Sequence, residues 1–143
     1  MLLHMLLAGF GGQGILFAGK VAAQVGMLKE KQVSWLPSYG PEMRGGTANC
    51  SVCIDDAPIG SPIVSEPQTL IVMNAPSFDK LSDKVKPGGM IVLDSSLIEK
   101  ETKRTDINII SLPATEIATK HGLDGFGNMV ILGAAMKATR FAA

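Results

Sequence analysis

The chain has few of the residues from which self-sufficient catalytic and metal centres are built. Its 143 residues include two cysteines and two histidines, and no G-x-S-x-G nucleophile motif. With so few cysteines and histidines, no Ser/His/Asp or Cys/His catalytic set can be assembled, which argues against an enzyme that works without a cofactor. We predict neither a catalytic residue nor a metal ligand on this chain.

The two cysteines, Cys50 and Cys53, form a C-x-x-C in the run TANCSVCI. No second C-x-x-C or histidine pair accompanies them, as a zinc site would require. The surrounding run favours a β-strand, where residues three apart point to opposite faces. We therefore predict two buried free thiols rather than a redox pair.

Charge imbalance and long apolar runs are also missing. Thirteen basic and thirteen acidic residues cancel, so we expect neither nucleic acid nor a membrane surface as a partner. The apolar start MLLHMLLAGF lacks a basic region before it and runs into glycines, which favours a buried strand over a signal peptide. No apolar run approaches the ~18 residues that span a bilayer. We predict a soluble, cytoplasmic protein.

Strand-like and helix-like runs alternate along the whole chain, and 46% of its residues are hydrophobic. The predicted strands are Leu2–Ala8, 32–38, 47–55, 69–74, 90–96 and 107–113. The predicted helices are 13–29, 75–85 and 114–122, with a last helix capped by Asn128 and ending at Thr139. This alternation predicts an α/β fold, an open, mostly parallel sheet with helices on both faces, in a Rossmann-like three-layer arrangement. We expect a single domain over residues 1–143, with a further C-terminal element beyond it.

The run from Gly9 to Gly14, GFGGQG, matches the G-x-G-x-x-G dinucleotide fingerprint. A dinucleotide site also needs an acidic residue about 20 positions later, at the end of the second strand, and that strand ends in LPS. A P-loop pattern from Gly14 to Lys20 overlaps the motif, but Val21 replaces the magnesium-binding Ser or Thr. NAD, FAD and NTP hydrolysis are therefore disfavoured. Two interpretations stay open: a backbone cradle for an anion at a helix N-terminus, or only a tight turn.

The segment WLPSYGPEMRGGTANC, residues 35–50, is the least generic part of the chain. Tyr39 and Arg44 lie in a loop at the carboxyl end of the second strand, where open α/β sheets place their ligands. It is either an ordered surface loop or a recognition loop beside Gly11 and Gly12. In the second case Arg44 binds an anion, and the two following glycines let a cofactor or another chain approach.

The segments GFGGQGILFAGKVAA, WLPSYGPEMRGGTANCSV, GSPIV and VKPGGMIVLDSSLI occur in that order and cover nearly the whole chain. Together they resemble the gamma subunit, or gamma domain, of the 2-oxoacid:ferredoxin oxidoreductases. The form SYGPEMRGGTANC looks closest to the 2-oxoglutarate type, followed by the branched-chain and pyruvate types. Members of this family usually continue beyond the point that corresponds to residue 143.

The resemblance implies one subunit of an oxidoreductase, inactive alone, in a complex with alpha and beta subunits or with alpha, beta and delta. That complex converts a 2-oxoacid and coenzyme A to acyl-CoA, carbon dioxide and reduced ferredoxin. Because this chain has neither a run of cysteines nor an evident thiamine diphosphate motif, thiamine diphosphate and the iron–sulfur clusters would reside on partner subunits. Coenzyme A would bind here, at Gly9, Gly11, Gly12, Gln13, Gly14, Tyr39, Arg44, Gly45 and Gly46. The alternatives are a structural assembly subunit without a ligand and a free-standing nucleotide-binding module.

Overall fold

A computed structural model describes residues 3–10, 13–38, 47–99 and 102–140. Six strands form a sheet in the order β2-β3-β1-β4-β5-β6. The strands are β1 (Leu3–Phe10), β2 (Gln32–Ser38), β3 (Thr47–Asp55), β4 (Thr69–Val72), β5 (Met90–Asp94) and β6 (Asn108–Leu112). The helices are α1 (Ile15–Leu28), α2 (Ala75–Leu81), α3 (Ala114–Lys120) and α4 (Gly127–Thr139), with a short 3-10 helix at Ser82–Lys84 after α2.

Five of the six strands run in the same direction, and β3 is reversed. β1, β4, β5 and β6 pair in parallel, whereas β3 is antiparallel to both β1 and β2. Parallel neighbours need a long crossover, while antiparallel neighbours need only a short connection. The prediction of a mostly parallel sheet is confirmed, with one antiparallel strand inserted between β2 and β1.

Both faces of the sheet are covered, as predicted. Met5 and Leu7 of β1 point into a core shared with α1, α3 and α4, on what we call the α1 face. Leu6 and Ala8 point the other way, into a smaller core with α2 and loop residues, on the α2 face. This explains why β1 is a continuous apolar run, because its side chains are buried on both faces of the sheet.

Four of the six strands differ from their predicted bounds. β5 and β6 are shorter by two residues each, and β1 and β4 differ for identifiable reasons. β1 continues through Gly9 to Phe10, because these residues pair with Ala48 and Thr47 of β3. β4 ends at Val72, before the predicted end. The next polar residue, Asn74, is the N-cap of α2, and its Oδ1 accepts a hydrogen bond from the Ser77 backbone N–H at 2.8 Å.

The cysteines behave as the strand pattern predicts. Cys50 belongs to the core of the α1 face and Cys53 to that of the α2 face, and both are free and fully buried. Burial raises the pKa of the Cys50 thiol to about 12 and also raises that of Cys53. Both thiols are therefore protonated at neutral pH, which makes them poor nucleophiles and poor metal ligands.

None of the helices in the described ranges combines the length and hydropathy needed to cross a bilayer.

Candidate functional site

The candidate site lies at one edge of the sheet, where the carboxyl ends of β1, β2 and β4 meet the start of β3. Phe10 pairs with Thr47, and Ser38 pairs with Asn49. The glycine turn after β1 and the segment between β2 and β3 therefore both start from this edge. Such an edge is the usual ligand position in an open α/β sheet.

Of the residues assigned to the site from the sequence, three lie in the described part of the chain. They are Gly9, Gln13 and Gly14. The other six lie outside the described residues: Gly11, Gly12, Tyr39, Arg44, Gly45 and Gly46.

Gln13 ties the end of β1 to the end of β4 through its side-chain amide. Its Oε1 accepts a hydrogen bond from the Phe10 backbone N–H at 2.6 Å, and its Nε2 donates to the Met73 carbonyl at 2.9 Å. Gly9 leaves room for this bridge, since a Cβ at Gly9 would lie 2.6 Å from Gln13 Oε1. Both polar atoms of the Gln13 side chain are thus bonded to the ends of β1 and β4.

Gly14 joins the start of α1 to the start of α4. It is the N-cap of α1, with a left-handed φ of 72° that favours glycine. Its carbonyl accepts a hydrogen bond from Asn128 Nδ2 at 3.1 Å. A Cβ at Gly14 would lie 2.5 Å from that same nitrogen. Both backbone conformation and packing thus require glycine here.

The predicted role of Asn128 as the cap of α4 is wrong. Phe126 is the N-cap and makes no capping side-chain bond. Asn128 lies inside the first turn of α4, 5% exposed, with its Nδ2 bonded to Gly14. The sequence favoured a cap because asparagine preceding an apolar run fits that pattern. No local sequence pattern predicts the bond from Asn128 to Gly14, which lies 114 positions earlier in the chain.

The helices that start at this edge are capped in two different ways. In α2 the Asn74 side chain occupies an N-terminal N–H, and in α3 buried Asp94 accepts from both the Thr115 N–H and its hydroxyl. The N-cap residues of α1 and α4 make no side-chain capping bond, and neither first turn contains an acidic residue. One N–H of the first turn of α4 is occupied, since Asn128 Oδ1 accepts a hydrogen bond from the Met129 N–H at 2.9 Å. Uncapped helix N-termini present N–H groups and a partial positive charge to an anion.

Asn128 holds the starts of α1 and α4 beside each other. Two helix dipoles therefore favour negative charge at the same place, next to the glycine turn. Chemically, the arrangement suits a phosphate or diphosphate held by backbone N–H groups.

Comparison with known proteins identifies the family. The sequence profile described as "Pyruvate ferredoxin/flavodoxin oxidoreductase" matches residues 4–143. The chain belongs to this family. The family resemblance drawn from four segments of the sequence is thereby confirmed.

Relatives within the oxidoreductase family carry more than one substrate name. The chain is 40% identical over 130 residues to the ketoisovalerate oxidoreductase subunit VorA of Methanothermobacter marburgensis, covering 91% of this chain and 27% of that protein. It is 36% identical over 136 residues to the 2-oxoglutarate synthase subunit KorC of Methanocaldococcus jannaschii, covering 93% and 73%. The chain thus spans about a quarter of the VorA relative and about three quarters of KorC.

Solved structures of the oxidoreductase family share the fold. The gamma subunit of a keto/oxoacid ferredoxin oxidoreductase from Geobacter sulfurreducens superposes with a TM-score of 0.84 at 28% identity, covering 95% of this chain and 75% of that one. A 2-oxoglutarate:ferredoxin oxidoreductase from Magnetococcus marinus, solved with 2-oxoglutarate, coenzyme A and succinyl-CoA bound, gives 0.81 at 24% identity. That match covers 94% of this chain and 24% of the other.

Proposed function

We propose that the chain is the gamma subunit of a 2-oxoacid:ferredoxin oxidoreductase and contributes to coenzyme A binding and complex assembly. The whole complex would convert a 2-oxoacid, 2-oxoglutarate in the first instance, and coenzyme A to acyl-CoA, carbon dioxide and reduced ferredoxin. Thiamine diphosphate and the iron–sulfur clusters would be bound by the alpha and beta subunits, with or without delta. The gamma chain alone would then have no oxidoreductase activity.

The observation that carries the coenzyme A assignment is the pair of uncapped helix N-termini at the carboxyl end of β1. Asn128 Nδ2 joins them through the Gly14 carbonyl, and neither first turn contains an acidic residue. Coenzyme A carries a diphosphate and a 3′-phosphate, and both groups suit such a position. The Magnetococcus marinus enzyme, which shares this fold, has coenzyme A among its bound molecules.

Each site residue has a separate role in this proposal. The backbone N–H groups of residues 11–14 would bind a phosphate of coenzyme A, because glycine permits close approach of the backbone. Arg44 would add a charge-assisted hydrogen bond, and Tyr39 a stacking or hydroxyl contact. Gly45 and Gly46 would leave room for the ligand or for a partner chain.

An assembly role is supported by apolar side chains that the described fold leaves in solvent. On α1, Phe17 is 59% exposed, Met27 65% and Leu28 84%. Exposed apolar surface of this kind is typical of faces that contact other subunits. We expect the chain to form a complex with alpha and beta subunits that survives gel filtration.

The coenzyme A assignment is tested in the complex of gamma, alpha and beta subunits with a viologen dye as electron acceptor. Arg44→Ala would remove a charged hydrogen bond worth about 1.5–3 kcal/mol, so the KM for coenzyme A should rise about tenfold or more. Gly12→Val should have a similar effect by blocking the backbone approach. Lys137→Ala, an exposed change in α4 on the α1 face, is the control and should leave this KM unchanged.

Two measurements keep that test specific. The KM for the 2-oxoacid should barely move in either variant, because a partner subunit would hold the thiamine diphosphate that supplies the decarboxylation chemistry. Circular dichroism and gel filtration should show an intact, assembled chain. If both variants assemble and keep the parental KM for coenzyme A, the glycine turn is structural and the chain serves assembly alone.

Identity to the ketoisovalerate subunit VorA supports a second candidate, a branched-chain 2-oxoacid substrate. Comparing kcat/KM for 2-oxoglutarate and 3-methyl-2-oxobutanoate in the complex separates the two. A higher value for the branched acid would reject the 2-oxoglutarate assignment without affecting the coenzyme A proposal.

A further inference from the structure

The two edge strands of the sheet, β2 and β6, differ in how well they are protected. β2 contains Pro37, and a proline in an edge strand hinders the addition of another strand because it has no N–H. β6 has the sequence NIISL, with neither a proline nor a charged residue. Among the described residues no strand pairs with its outer side. An unprotected, uncharged edge is a template for pairing with a further strand.

The backbone of β6 leaves a defined set of groups at this edge. The Asn108 N–H donates to the Gly89 carbonyl at 2.9 Å, and the Leu112 carbonyl accepts from the backbone just after β5 at 2.9 Å. Successive residues of a strand present their N–H and C=O groups to opposite sides. The N–H and C=O groups of Ile109 and Ser111 therefore point outward, away from β5.

The same two residues carry the exposed side chains of β6 on the α2 face. Ile109 is 41% exposed, and with Ser111 it borders a depression of about 350 Å³. The depression is otherwise lined mainly by apolar side chains, from Phe78, Leu93 and Ile98. Exposed apolar surface thus lies directly beside the unpaired backbone groups, as in surfaces that contact another chain.

We propose that β6 pairs antiparallel with β6 of a second copy of this chain, so that the two six-stranded sheets become one. Ile109 lies opposite the second copy's Ser111, and the two-fold axis passes beside Ile110. Each such pair exchanges two N–H···O=C hydrogen bonds. The pair and its symmetry mate use every outward N–H and C=O group between Asn108 and Leu112.

Two features favour a second copy over a strand of another protein. Pro113 directly follows β6 and has no N–H to offer, so a longer strand would run past the end of the ladder, whereas an equally short strand is fully paired. Self-pairing also brings no like charges together, because β6 has no charged residue. On the α2 face, each copy's Ile109 would then cover the other's, since diagonal neighbours on one face are within reach of long side chains.

Disulfide crosslinking of the full-length chain tests the pairing and its register. In a non-hydrogen-bonded antiparallel pair the Cα atoms are about 4.5 Å apart, within the range of a disulfide. Mild oxidation of Ile110→Cys should therefore give a covalent dimer on a non-reducing gel. Ile109→Cys is the matched control, because its two copies lie diagonally at about 7–8 Å and should not crosslink. The natural Cys50 and Cys53 are buried and should not contribute.

A proline at the edge provides the second test, by sedimentation equilibrium over a wide concentration range. The parent chain should approach twice the 15.0 kDa mass of one copy. Ser111→Pro removes an outward N–H without touching the bonds to β5, so it should raise the dimer Kd about tenfold or more. Ser111→Ala keeps the N–H and should leave the Kd unchanged. Circular dichroism checks the fold, and if Ser111→Pro unfolds the chain, the crosslinking pair decides.

Three results would overturn the inference. The first is a parent chain that stays monomeric and an Ile110→Cys variant that forms no disulfide dimer. The second is crosslinking of Ile109→Cys in place of Ile110→Cys, which would reject this register. The third is loss of the alpha or beta subunit from the complex on gel filtration of Ser111→Pro, which would assign the edge to another subunit. None of these results bears on the KM for coenzyme A, so the proposed function is tested separately.

Discussion

Replacing Gly14 with alanine should destabilise the chain through two separable effects. The first is backbone strain, because Gly14 has a φ of 72° and a left-handed residue with a Cβ costs about 1–2 kcal/mol. The second is steric, because the new Cβ would lie 2.5 Å from Asn128 Nδ2 and 3.2 Å from its Cγ. No real contact is that short, so the Asn128 side chain has to move.

The steric part has a magnitude that follows from what Asn128 loses. Its Nδ2 donates to the Gly14 carbonyl at 3.1 Å, and Asn128 is 5% exposed. Breaking that bond while the amide stays buried costs about 1–3 kcal/mol. Together with the strain, Gly14→Ala should lower the free energy of unfolding by about 2–5 kcal/mol.

A double-mutant cycle with Asn128→Ala separates the two effects, measured by urea unfolding of the full-length chain followed by circular dichroism. With Asn128 removed, Gly14→Ala should cost only the strain of about 1–2 kcal/mol. Gly133→Ala in α4 is a matched control, because its Cβ would have no neighbour within 4 Å. It should stabilise the chain by about 0.5–1 kcal/mol. An equal cost of Gly14→Ala in both backgrounds would refute the contact between the two helix starts.

Two further predictions concern the bridge at the sheet edge and the buried thiols. Gln13→Ala removes the hydrogen bonds to Phe10 N–H and the Met73 carbonyl, so it should lower the free energy of unfolding by about 1–3 kcal/mol. Gln24→Ala, an exposed change in α1, should change it little, and equal effects would contradict the bridge. Burial raises the pKa of Cys50 from 9.0 to about 12, so its contribution to stability is complete below pH 9 and is lost as pH rises towards 12. Replacing Cys50 with alanine should reduce that loss in urea titrations between pH 8 and 11, and an unchanged alkaline slope would contradict the assignment.

The strands were predictable because burial on both faces leaves a simple apolar run, as in β1 and β4. The exact ends were not, since they depend on partners: Phe10 is a strand residue only because Thr47 pairs with it. The bond between Gly14 and Asn128 joins residues 114 positions apart, and no local pattern encodes such a contact.

That reversed strand also gives a structural reason for the missing dinucleotide carboxylate. In a Rossmann site the second strand lies beside the first, so an acidic residue at its end reaches the ribose hydroxyls. Here β3 lies between them, and Ser38 at the end of β2 is two strand spacings, or about 10 Å, from the end of β1.

The residue that pairs with the end of β1 is instead Thr47, at the start of β3. No ribose-binding acid stands at the position where the dinucleotide fold requires one. Coenzyme A has a phosphate on its ribose 3′-oxygen, which a carboxylate at that position would repel. Within the described residues, this edge offers the starts of α1 and α4 and has Thr47 beside the end of β1, which suits the coenzyme A proposed above better than NAD.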